Sequence, residues 1–173
     1  MTCGVSQSHF VHSHFHSKWR GREYLKPAEF PLSWPAKGTI YGYNRRLMIC
    51  LPTRRGVPGR GHQPVNVFFL VDTGSPCSYL CQEAMGVLIG KGLEYQPKQL
   101  SVAVQTECTP FQMHLSPLIG PDGKEGKFHD VNVLGMDFFD KFDLTIEIDF
   151  PLKFFKIFKK TAEEIYDQYE EDV

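Results

Sequence analysis

FFLVDTGSPCSYL, residues Phe68–Leu80, runs an apolar segment into an aspartate and then into threonine, glycine and serine. Phe68-Phe69-Leu70-Val71 consists of strand-forming residues without a polar break, the pattern of a strand buried on both faces. Asp72 follows at its end, where a carboxylate loses water unless neighbours satisfy it or chemistry requires it there. Taken alone, the motif is also an ordinary turn, since Asp opens many turns and Gly74 has the backbone freedom to complete one. The rest of the chain decides between the two.

Working outward, short apolar or alternating segments are separated by turn residues. Thr39–Tyr43, Leu47–Leu51 and Val65–Val71 read as strands, with Arg54–Pro64 as a long Arg-, Gly- and Pro-rich loop. Glu83–Leu88 reads as a helical turn. Leu100–Gln105 and Phe111–Leu115 alternate, and Thr106–Thr109 between them suits a hairpin turn. Gly120–Gly126 is a polar loop. Val131–Leu134 is a strand leading through Gly135 into a short helix, and Leu144–Phe150 and Phe154–Phe158 are the last strands, joined through Pro151. Many short strands with little helix predict an all-β fold, a small closed barrel.

The 173 residues, 42% of them hydrophobic and 14 of them Phe, suffice for one domain with a substantial core. Residues 1–38 lack helical or strand periodicity and read as a flexible His- and Pro-containing extension. Residues 39–160 form the domain. Residues 161–173 form an acidic tail with helix signals at Thr161 and Glu164. The net charge of -1 hides a polarity: Lys18–Arg60 is basic apart from Glu23 and Glu29, whereas Glu163–Asp172 holds six acids and no base. The basic residues lie scattered among Pro and Gly, the texture of a solvated segment, so nucleic acid is not expected as a partner.

Five cysteines without regular spacing are neither a disulfide framework nor a zinc site. His9, His12, His14 and His16 lack Cys or carboxylate partners and read as a polar tail. No metal and no cofactor is expected. No run of about 20 apolar residues appears, so no membrane span is expected and the cytoplasm is the expected location. The Ser-, His- and Arg-containing start leaves organelle targeting open.

A second stretch bears on Asp72. NVLGMDFFDKFDLTIEIDF, Asn132–Phe150, places two apolar residues and a glycine about 60 residues after the strand-borne Asp-Thr-Gly-Ser. Together the two motifs resemble the retroviral-type (retropepsin-like) aspartic proteases over roughly residues 39–159. That family pairs an apolar-Asp-Thr/Ser-Gly-Ala/Ser loop with a later apolar-apolar-Gly strand and a short helix, and closes with a strand like Leu144–Phe150. Each motif alone is weak; order and spacing make the pair specific.

The resemblance implies a single-lobed barrel that pairs as a homodimer, and an aspartic endopeptidase hydrolysing polypeptide. Asp72 is then the catalytic residue. Hydrolysis needs a base to activate water and an acid to protonate the product side, and two close carboxylates sharing one proton supply both. With one Asp-Thr-Gly per chain, the second carboxylate comes from Asp72 of another subunit across a twofold axis.

Thr73 is implied to bond across that axis, or else to satisfy local backbone. Gly74 lets backbone pass close to the carboxylate and offers its N–H. Ser75 is expected to donate to the outer oxygen of Asp72 and so lower the pair's pKa values. Val133, Leu134 and Gly135 are expected to flank and bury the loop, and Asp137 to start the short helix rather than act as a second acid. The flap that covers substrate in the family has two candidates, the Leu100–Leu115 hairpin or Lys91–Pro97. A catalytically weak module for dimerisation or peptide binding is the alternative function.

Overall fold

The computed structural model describes residues 21–56, 62–90, 97–117 and 129–161. The His-rich start, the 120–126 loop, residues 91–96 of one flap candidate and the acidic tail beyond Thr161 lie outside the described residues.

The elements are β1 (Ala36–Tyr41), β2 (Arg46–Arg55), β3 (Val65–Val71), β4 (Tyr79–Leu80), α1 (Gln82–Ile89), β5 (Gln99–Val104), β6 (Glu107–Leu115), β7 (Asn132–Leu134), α2 (Met136–Lys141), β8 (Leu144–Asp149) and β9 (Phe154–Lys159). The strands form one sheet. Its path β3-β7-β4-β6-β5-β2 returns to β3 and closes a six-stranded barrel, while β1, β9 and β8 continue outward from β2. The fold is all-β, as expected, with two short helices among the described residues.

β3 shows why its sequence has no alternation. Val65, Val67, Phe69 and Val71 point into the main core with Ile49, Leu51, Leu134 and Phe138. Leu70 points to the other face, into a second buried cluster with Met48, Val131 and Val133. A strand covered on both faces reads as a continuous apolar run. On one side it is antiparallel to β2, Leu47 facing Val71 and Thr53 facing Val65. On the other it is parallel to β7, with Phe69 opposite Asn132 and Val71 opposite Leu134. α2 joins the core through Phe138, which packs edge-on to Phe111 at 5.4 Å and to Phe142 at 5.1 Å between ring centroids, a favoured aromatic geometry.

Several elements differ from expectation. β2 runs on through Arg55 instead of yielding to a loop at Arg54, because its last residues change partner and pair with Val102–Val104 of β5. β4, only two residues long, has no sequence signature; it is held by Tyr79 facing His114 on β6 and Val133 on β7. The boundary at residue 39 falls inside β1, whose Ala36 already faces Ile157 of β9.

Upstream of β1, residues 22–35 form a strap along the barrel. β7 reaches only Phe69–Val71 on β3, and the strap occupies the same side of the strand's beginning. Leu25 N–H donates to Asn66 O at 2.7 Å, Asn66 N–H to Lys26 O at 2.9 Å and Ala28 N–H to Pro64 O at 2.9 Å. Further on, Leu32 N–H donates to Gln105 O and Gln105 Nε2 to Ser33 O. Tyr24 anchors the strap. Its hydroxyl accepts from Asn132 Nδ2 at 2.9 Å and lies 3.4 Å from Cys81 Sγ. Asn132 is buried and otherwise satisfied, donating to Phe68 O and accepting from Cys81 N–H. Burial pushes both the Tyr24 phenol and the Cys81 thiol upward from their usual values, so both stay protonated.

Candidate active site

Asp72 sits where β3 ends, half-buried, with Thr73 and Gly74 exposed beyond it. Three local bonds shape the turn. Gly74 N–H donates to Asp72 Oδ1 at 3.0 Å, Ser75 N–H donates to Asp72 O at 3.1 Å, and Asp72 N–H donates to Leu134 O at 3.1 Å. Among the described residues Asp72 forms no salt bridge.

Ser75 departs from expectation. Its hydroxyl donates to Cys77 O at 2.7 Å, and a hydroxyl has one proton to give. Pro76 bends the chain so that the carbonyl two residues on lies within reach, and the outer oxygen of Asp72 does not receive this proton. Ser75→Ala is therefore expected to leave the pH–rate profile of any Asp72-dependent reaction in place while lowering stability by about 1 kcal/mol, the worth of one hydrogen bond. Urea midpoints beside the pH profile check this; a displaced profile with unchanged stability would contradict it.

Val133, Leu134 and Gly135 lie beside the loop, Val133 opposite Tyr79 and Leu134 O bonded to Asp72 N–H. Leu134 is fully buried, and Val133 lies under Tyr79 in the second cluster. Gly135 has ordinary extended torsions, φ -93° and ψ -178°, so the need for glycine is spatial. A Cβ at this position would stand 2.3 Å from Cys77 O and 2.8 Å from Ser75 O. The loop in turn receives the start of α2, Met136 N–H donating to Ser75 O at 2.9 Å and Asp137 N–H to Pro76 O at 3.3 Å.

Asp137 lies in the first turn of α2, as expected for a helix-starting acid. Its carboxylate does more than face a helix end. Oδ2 accepts from Ser78 N–H at 3.0 Å and Oδ1 from Ser78 Oγ at 2.6 Å. The acid is consumed by Ser78 and leaves Asp72 as the turn's available carboxylate. Ser78 was not singled out by the sequence; only its full burial marks it, and a serine six residues past an aspartate has no pattern of its own. Tyr79 beside it has its phenol pushed upward by burial, then by Cys77 and Asp137.

The hairpin of β5 and β6 is part of the barrel wall, bonded to β2 on one side and β4 on the other. Of the two flap candidates it is a body strand pair; residues 91–96 of the other lie outside the described residues. Two clefts of about 350 and 370 Å³ border the strap, lined by Arg22 and Leu32 in both and by Asn66 or Gln105. Asn66 lies near the start of β3 and Asp72 just past its end, so they are roughly 20 Å apart along the strand. Neither cleft belongs to the Asp72 site. Among the described residues no three His, Cys, Asp or Glu side chains converge as metal ligands, and no helix is long and apolar enough to cross a membrane.

No protein-family model and no curated protein matches the chain. Among solved structures, a retropepsin-like aspartic protease from Rickettsia conorii is similar at a TM-score of 0.42 and 20% sequence identity, over 75% of this chain and 96% of that one. A likeness that distant assigns no residue a role.

Proposed function

We propose that the chain is an aspartic endopeptidase whose active unit is a pair of copies, each contributing Asp72. One observation carries this reading. A strand-end carboxylate is held on a rigid turn by its own Gly74 N–H and by a distant strand, while the nearby acid, Asp137, is occupied by Ser78. One carboxylate cannot be base and acid at once. Two that approach within a few Å share a proton, the ionised one taking a proton from water and the neutral one giving its proton to the developing oxyanion or leaving amine.

A twofold axis near Asp72 supplies the second group from Asp72 of the partner subunit. Thr73 lies exposed beside Asp72, and in this reading its hydroxyl bonds across the axis. The surface at this end suits association. Arg46 on β2 lies next to Leu47, which faces Val71, and the turn after β8 joins the same end by Lys153 O accepting from Ile40 N–H at 3.0 Å. Phe150 and Leu152 of that turn and Tyr43 of the β1–β2 turn are exposed, and β8 is the last strand of the sheet among the described residues. That same surface favours the second reading, a dimerisation or peptide-binding module with little turnover.

Sedimentation and digestion of a mixed peptide library, run together over a dilution series, separate the readings. The expected result is specific activity that falls with the dimer fraction. Full activity in a monomeric sample refutes the shared pair; a dimer that cleaves nothing between pH 3 and 8 leaves the module, a window of about five units chosen to cover ordinary and raised carboxylate pKa values.

A further inference from the structure

The Leu134–Gly135 peptide unit carries a hydrogen bond at each end. Its carbonyl accepts from Asp72 N–H at 3.1 Å. Its N–H donates to Ser78 Oγ at 2.9 Å. The Ser78 hydroxyl passes its own proton on to Asp137 Oδ1 at 2.6 Å. A single run of donors and acceptors thus leads from the Asp137 carboxylate, through a buried serine and one peptide plane, to the backbone of Asp72. We propose that Asp137 is a positioning residue for Asp72, acting through Ser78 and the Leu134–Gly135 peptide. This assignment rests on the reading of Asp72 as the catalytic carboxylate.

The order of the links gives the device its direction. An ionised acceptor makes the strongest and shortest of these bonds, and 2.6 Å lies in the range for a hydroxyl donating to a carboxylate. A serine oxygen whose proton is drawn away becomes a better acceptor for Gly135 N–H. A peptide whose N–H is bound more tightly carries more negative charge on its carbonyl, and so holds Asp72 N–H more firmly. Ser78 N–H, bonded to Asp137 Oδ2 at 3.0 Å, prevents the carboxylate from rotating out of line. With the backbone of Asp72 fixed, Gly74 N–H meets Oδ1. A helix-starting acid with only a local role would not need the serine.

The test is carbon-detected NMR titration of the Asp72 carboxyl in the full chain, with kinetics alongside. The variants are Ser78→Ala, Asp137→Ala, their combination, Ser78→Thr and Asp137→Asn. Ile157→Val, a fully buried site on β9, controls for general loss of stability. Loosening the Gly74 bond disfavours the ionised form, so both single Ala variants are expected to raise the apparent midpoints of the Asp72 pair by about half a pH unit. Their kcat should fall about 100-fold, the scale of a slight misplacement, with KM little changed.

The combined variant should do no more than either single one, because both cut the same relay. Ser78→Thr and Ile157→Val should titrate like wild type. An unmoved midpoint in the Ala variants, or an equal displacement in Ile157→Val, overturns the proposal and leaves the peptidase reading intact. Where the Ala variants do not fold, Asp137→Asn replaces one acceptor by a donor in the same shape, and an unchanged midpoint there overturns it as well. A displaced midpoint in a protein that cleaves no peptide keeps the positioning role and removes the peptidase reading.

Discussion

Asp72→Asn should lose hydrolysis by about 10⁴-fold or more while melting within a degree or two of wild type. The acid–base contribution of a positioned side chain reaches about 10⁴-fold, and in a shared pair this substitution removes both members together. Asn keeps the shape of Asp and an oxygen to accept from Gly74 N–H, so the bond at 3.0 Å has a counterpart in the variant. The site is half-exposed, and among the described residues Asp72 takes part in no ion pair whose loss would unbalance the fold. Peptide-library digestion and thermal melts of the purified variant are the measurements. Retained cleavage would end the aspartic-peptidase reading; lost cleavage with lost folding would show that Asp72 holds the barrel together.

Gly135→Ala should destabilise the chain by about 3 kcal/mol or more, beyond the usual range for one added methyl in a packed interior. The atoms that a Cβ would meet at 2.3, 2.6 and 2.8 Å are Cys77 O, Cys77 C and Ser75 O. All are backbone, so no rotamer change gives way. Either the 75–77 loop lifts from α2, breaking the bonds from Met136 and Asp137 to Ser75 O and Pro76 O, or β7 shifts along β3. Both routes also move the peptide that holds Asp72. The urea midpoint is expected to fall sharply, and whatever folded fraction remains should be catalytically poor. A variant within about 0.5 kcal/mol of wild type would mean that the loop is softer than its contacts imply, since surface-like tolerance is of that size.

Much of this was legible in the chain, and the illegible parts share a cause. β3 was readable because burial on both faces leaves Val67–Val71 as a continuous apolar run. Gly135 was readable because close backbone approach selects the one residue without a side chain. Strand ends failed where a partner at long range decided them. β2 extends past Arg54 because β5 supplies bonds there, and no local propensity announces that. Ser78 and Asp137 lie 59 residues apart, each unremarkable among its neighbours, and only the meeting of β4 with β7 joins them. Ser75 failed in another way: the chemistry of its hydroxyl was right, but a nearer carbonyl took the proton. Tyr24, 108 residues from Asn132, belonged to a stretch whose prolines argued for a loose tail.

The parallel contact of β3 with β7, which closes the ring, has a consequence for how the molecule is made. β3 is synthesised before residue 72, but its second neighbour begins only at Asn132. Until that segment leaves the ribosome the ring stays open, and Phe69 and Val71 lack a strand on one side. Folds dominated by pairings of such separation form slowly, because the entropy of closing the intervening chain is lost before the contacts repay it. Unpaired apolar strands are also where partly made chains associate. Tyr24 waits for the same event, since its hydrogen-bond donor is Asn132 itself. Asp72 is thus among the earlier residues of the domain to be translated, yet its backbone bond to Leu134 O waits for β7.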